Sequence, residues 1–96
     1  MIKHVVVFKF KEESKNQITQ AKEVLMSMEG NVPTIKGIEV NIDELKSSRS
    51  FDIMLTVTLE SFEALEEYQL DPYHSGVVKT FMNMHTERSV AIDFTV

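Results

Sequence analysis

The stretch Ser50-Phe-Asp-Ile-Met-Leu-Thr-Val-Thr-Leu-Glu60 runs directly into Ser61-Phe-Glu-Ala-Leu-Glu-Glu-Tyr-Gln-Leu-Asp-Pro-Tyr-His74, and it restricts the fold more than any other part of the chain. Phe51, Ile53, Leu55, Val57 and Leu59 recur at every second position, the period of a strand, opposite Asp52, Met54, Thr56, Thr58 and Glu60. A face that apolar has to be covered by helices. Ser61 is a good N-cap and Glu63 suits the positive end of a helix whose inner face runs through Phe62, Leu65 and Tyr68 or Gln69. Asp71-Pro72 breaks that helix, because a residue before proline is pushed out of the α region while proline after an Asp cap starts a new helix well. The second piece carries His74, Val77, Val78 and Phe81 at spacings of three and four, with His74 on its buried stripe.

The remaining elements fall around this pair. Ile2 to Phe10 alternates as a strand, with Ile2, His4, Val6, Phe8 and Phe10 on one face and Lys3, Val5, Val7 and Lys9 on the other. Ser14 and Gln17 have the form of a capping box, which predicts a helix from about Lys15 carrying Ile18, Ala21, Leu25 and Met28 inward, with Val24 beside them. Gly30 is the stop, and Asn31, Pro33 and Gly37 mark a turn into a second strand with Ile38, Val40 and Ile42 on one side. Asp43 to Ser50 is a polar loop. After Met84 a last strand is expected with Val90, Ile92, Phe94 and Val96 inward and Ala91, Asp93 and Thr95 outward. The order βαββαβ is an α+β, ferredoxin-like pattern: two helices on one face of a four-stranded antiparallel sheet in strand order 4-1-3-2.

With 96 residues the chain is expected to form one domain spanning 1–96, and 43% apolar content suffices for a core. A net charge of −5 without a basic stripe argues against nucleic acid as a partner. The absence of cysteine removes disulfides, thiolate nucleophiles and Cys-based zinc sites. The apolar run at the amino terminus is too short for a signal peptide or membrane span, so no membrane association and a cytoplasmic location are expected.

Helices cover only one sheet face. On the other, the central strands present Val5, Val7, Met54 and Thr56, with Ala91 nearby, while the edge strand presents Glu39 and Asn41. An apolar centre inside a polar rim is the pattern of a covered patch, and it predicts a homodimer with the two sheets face to face.

Four segments resemble the stress-responsive A/B barrel (Dabb) family of dimeric α+β barrels. They are Ile2-Lys-His-Val-Val-Val-Phe-Lys-Phe10, Gly30-Asn-Val-Pro33, Phe51-Asp through Thr58, and Tyr68-Gln-Leu-Asp-Pro-Tyr-His74, the last with Asp71 where a His is common. The resemblance spans nearly the whole length and implies a ferredoxin-like protomer that pairs into a barrel. One plant member is similar in carrying a Tyr and a His in this last segment and closes a polyketide ring without a cofactor. By that resemblance Tyr68 and His74 are candidate catalytic residues, and His4 matches a pocket-lining His. Leu25 and Ile53 stand where that cyclase has a pocket Tyr and His. Other members carry the Tyr and His with no assigned reaction.

In chemical terms His74 has the ordinary pKa range of a general base, and Tyr68 could hold an oxyanion or a carbonyl. The structural alternative is that His74 braces the broken helix through freed backbone groups, with Tyr68 packed beside it, and that His4 is a satisfied core histidine. His85 suits the negative end of a helix, and Met82-Asn-Met84 suits adaptable packing. The three histidines are dispersed, Asp52, Asp71 and Asp93 show no ligand spacing, and no phosphate loop is present, so neither metal nor cofactor is expected. Two functions are therefore in play. One is a homodimeric stress-associated domain that binds a hydrophobic small molecule; the other is a cofactor-independent cyclase, lyase or monooxygenase with His74 as base.

Overall fold

Strand β1 (Ile2–Phe10) lies in the middle of the sheet, and the whole architecture is arranged about it. A computed structural model describes all 96 residues. β1 pairs antiparallel with β3 (Ile53–Leu59) on one side and with β4 (Thr86–Thr95) on the other, and β2 (Gly37–Ile42) closes the far edge against β3. The strand order β2-β3-β1-β4 is the expected ferredoxin-like order. Helices α1 (Ile18–Met26), α2 (Phe62–Leu70) and α3 (Lys79–His85) complete the fold.

The core lies between helices and sheet. Leu55, Val57 and Leu59 from β3 meet Ala21 and Leu25 from α1, Leu65 and Tyr68 from α2 and Met82 from α3, with Met28 and Val32 closing one end. Burying each large apolar side chain contributes about 1.5 to 3 kcal/mol, which makes this layer the main stabilising feature of the protomer. No helix is long and apolar enough to cross a membrane.

Several local expectations are met by hydrogen bonds. Ser61 caps α2 by accepting the Ala64 amide at 3.1 Å. Asp71 caps the second helical piece, its Oδ1 accepting the amides of Tyr73 at 2.8 Å and His74 at 3.3 Å. Beyond Pro72 the chain forms a π-helical segment, His74–Val78, in which the Lys79 amide reaches back to the His74 carbonyl. Such single π turns are frequent at functional sites. The wider turn rotates Val77 outward and leaves Val78 facing the core, so the inner stripe is His74, Val78 and Met82, without Val77.

Other expectations are corrected. Ser14 does not cap α1: a 3-10 turn starts earlier, at Glu12, and the buried Ser14 hydroxyl lies 2.8 Å from His85 Nδ1 at the end of α3. A partner distant in sequence has won over the local amide. Phe62, at the start of α2, is half exposed. β3 starts at Ile53, just after Asp52, whose carboxylate accepts the Phe10 amide and the Lys15 ammonium, while Phe51 lies under the cations of Lys9 and Arg88.

The largest correction concerns β4. Residues directly opposite each other in an antiparallel pair project to the same face. Val5 faces Ile92, Val7 faces Val90 and Lys3 faces Phe94, so these β4 side chains lie on the open face, where they are 63%, 50% and 39% exposed respectively. Ala91 and Asp93 face Val6 and His4 and so lie on the helix side. The open face is thus more apolar than expected from Val5, Val7 and Met54 alone.

The Asp71 cap can be tested directly. Asp71→Ala removes two capping hydrogen bonds and should cost about 1 kcal/mol, lowering the melting midpoint by roughly 4 to 8 °C in a chain of this size. An unchanged midpoint in thermal unfolding followed by circular dichroism would show that the break is held by other contacts.

Candidate functional site

Three polar rings from three elements meet under the break. His4 projects from the helix side of β1, Tyr68 from the inner face of α2, and His74 from the first turn after Pro72. The Tyr68 ring lies between the two histidines, 5.7 Å from His4 in an edge-to-face arrangement at 66° and 4.5 Å from His74 at 42°. Tyr68 is only 1% exposed.

These rings border a cavity of about 280 Å³, close to the lower end of the ~300 to 1,000 Å³ typical of small-molecule sites. Val6, Leu25, Leu55 and Met82 supply apolar wall, while Gln69, Lys79, Asn83 and Ser89 stand around the rim. Of the residues singled out from sequence, His4, Leu25, Tyr68 and His74 all line this cavity. Ile53 does not. It pairs with Phe8 and Ile42 at one end of the sheet and is buried in the core, and Phe8 borders the cavity where Ile53 was expected.

Burial acts on the rings in opposite directions. It raises the Tyr68 phenol well above its ordinary range, so the hydroxyl stays protonated as a donor. It lowers His74 from its ordinary value near 6.5, with the charges of Lys79 and His4 pushing the same way and the Gln69 carbonyl and Asp71 pushing back. His74 is accordingly neutral at pH 7. Its Nδ1 is buried without a hydrogen-bond partner, since the amides at the break are capped by Asp71. Asp71 thus caps the amides at the break, while the His74 ring keeps a contact to the Gln69 carbonyl at the end of α2, so bracing of the break is shared between them.

Asp93 is the functional neighbour that sequence reasoning missed. Its Oδ1 contacts His4 Nδ1, which fixes the orientation of that ring and directs Nε2 as an acceptor when the imidazole is neutral. The available signal was the pairing of His4 with Asp93, visible only once β4 is placed beside β1. A second tie holds the helices over the cavity: the Tyr73 hydroxyl donates to Ser27 Oγ at 2.7 Å, and Ser27 Oγ donates to the Val24 carbonyl at 2.5 Å.

A larger hollow of about 550 Å³ lies beside Lys9, Lys15, Asp43 and Asp52. It is weaker as a site, because Lys15 and Asp52 already neutralise each other at 3.0 Å and no buried polar atom there lacks a partner.

The state of His74 is measurable. Its imidazole should titrate by NMR with a midpoint below 6.5. A lowered folded-state pKa means that the unfolded chain binds the proton first as pH falls. The contribution to stability is thus present above the unfolded value near 6.5 and lost as pH drops through and below it. His74→Gln should flatten this part of the stability profile, and an unaltered profile would contradict the buried neutral ring.

Comparison with known proteins agrees with this architecture. The profile of the stress responsive A/B barrel domain matches residues 2–96. No curated protein sequence matches the chain. Among solved structures, a dimeric protein of unknown function with a ferredoxin-like fold from Bacteroides fragilis superposes with a TM-score of 0.86 at 20% identity, covering 99% of this chain and 95% of that one. A hydroxynitrile lyase from Passiflora edulis gives 0.82 at 18% identity, over 99% and 92% of the two chains. An antibiotic biosynthesis monooxygenase gives 0.79 at 13% identity, over 100% and 98%. Identities this low carry the fold alone. The family match is of another kind, because it runs through every element from β1 to β4, and on that ground the chain belongs to the stress responsive A/B barrel domain family.

Proposed function

We propose that this protein is a homodimeric small-molecule-binding domain whose ligand occupies the cavity under the helix break. The observation that carries this reading is the buried, unpartnered Nδ1 of His74 beside a cavity that also receives Tyr68 and His4. Buried polar groups without partners are rare, and a ligand with a carbonyl or hydroxyl oxygen would supply the missing contacts. The apolar wall of Val6, Leu25 and Leu55 fits the rest of a hydrophobic molecule.

The alternative, general-base catalysis by His74 with Tyr68 as acid or oxyanion donor, uses the same rings but is not favoured. Its support from the lyase and the monooxygenase reaches only as far as the fold. The binding reading is tested by NMR screening with small aromatic ketones and phenols. Hits should move the resonances of Tyr68 and His74 while leaving the exposed Leu45 unmoved, and Tyr68→Phe combined with His74→Ala should weaken them. A screen that moves neither ring dismisses the pocket as a binding site.

Pairing follows from the open sheet face. Val5, Val7, Met54, Val90, Ile92 and Phe94 form a continuous apolar area that no element of the protomer covers. Covering each such side chain contributes at most about 1.5 to 3 kcal/mol. A patch of this extent on both protomers meets the ~4 to 15 kcal/mol cost of association. The protein should sediment at twice the 11.0 kDa chain mass, and Ile92→Glu, at a site already open in the protomer, should return it to 11.0 kDa. A wild-type protein that stays at the single-chain mass at micromolar concentration rules the dimer out.

A further inference from the structure

The cavity has a charge character opposite to that of the protein as a whole. The chain carries 15 Asp and Glu against 10 Lys and Arg, yet no Asp or Glu lines the cavity, and the one Lys or Arg that does is Lys79. Lys15 pairs with Asp52 and Lys36 with Glu60, whereas Lys79 forms no ion pair. Its charge reaches the interior, as it lowers the pKa of His74. Asp93 contacts His4 and Asp71 accepts the amides of Tyr73 and His74, and neither forms an ion pair with Lys79.

From this arrangement we infer that the ligand is an organic acid, a small apolar molecule with one carboxylate-type anionic group that sits at the rim beside Lys79. The inference rests on the reading of the cavity as a binding site and specifies the class of molecule it takes. Several features act together. Lys79 follows His74 by one π turn, its amide bonded to the His74 carbonyl, so both residues are based on the same turn. The neighbouring rim groups, Gln69, Asn83 and Ser89, are all able to donate hydrogen bonds. Deeper in, the Tyr68 hydroxyl is held in its donor form by burial. An anion therefore meets a cation and several donors with no Asp or Glu lining the cavity. A cationic ligand would meet Lys79 at the entrance and find no carboxylate inside.

The test uses matched probes that differ only in charge: 3-phenylpropanoate against 3-phenylpropanamide and octanoate against octanamide, titrated at pH 7 and low salt while the Tyr68 and His74 resonances are followed. The acids should bind roughly tenfold more tightly than the amides, the scale of one charge-assisted contact. Lys79→Gln should bring the ratio of acid to amide affinity close to one, and Lys79→Arg should keep most of the preference. Amides that bind as well as acids, or a preference that survives Lys79→Gln, would overturn the inference while leaving the cavity a binding site. Should no probe reach the rings, the inference also fails, and the neutral ketones and phenols of the preceding screen then decide separately whether the cavity binds anything.

Discussion

The antiparallel register between β1 and β4 is the constraint on which both surfaces of the sheet depend. With His4 opposite Asp93 and Val5 opposite Ile92, one alternation sends a polar pair toward the helices and an apolar pair toward the open face. Because the side-chain period of a strand is two, a slip of one residue would reverse both assignments together. The polar interior and the apolar exterior are therefore a single structural decision. The irregularity between Lys9 and Phe10 confines any misalignment to the end of the ladder, away from the rings.

The helix break does comparable work on the other side of the cavity. Asp71 and Pro72 end α2 one turn after Tyr68, and the π segment then returns the chain over the sheet with His74, Val78 and Lys79 directed at one space. In an unbroken α-helix, at 3.6 residues per turn, His74 and Val78 would still share a face but Lys79 would turn away from them. The tie from Tyr73 through Ser27 fixes the break against α1, so the cavity is bounded by elements that are held to one another as well as to the sheet.

How much of this was legible in the sequence depended on how far away the deciding partner lay. The Ser61 cap, the Asp71-Pro72 break and the inward face of β3 involve near neighbours, and each can be read from its own few residues. Tyr68, His74, His4 and Leu25 could be named from the resemblance, and the structure places them around one cavity. The β4 faces could not be read locally, because Val90, Ile92 and Phe94 look like core by hydropathy. Only pairing with Val7, Val5 and Lys3 shows that they look away from it. Ser14 was misjudged for a similar reason, since the local amide competes with His85, 71 positions further along. Ile53 occupies the expected strand but lies past the end of the cavity, a matter of its position at the end of the β3 pairing that spacing does not encode.

The chain contains no tryptophan and two tyrosines, Tyr68 and Tyr73. One stands between His4 and His74 and the other bonds to Ser27 at the start of the second helical piece. All phenolic absorbance and emission of this protein therefore originates within a few ångströms of the break, and the folded chain carries its own optical gauge of what happens there, without a label.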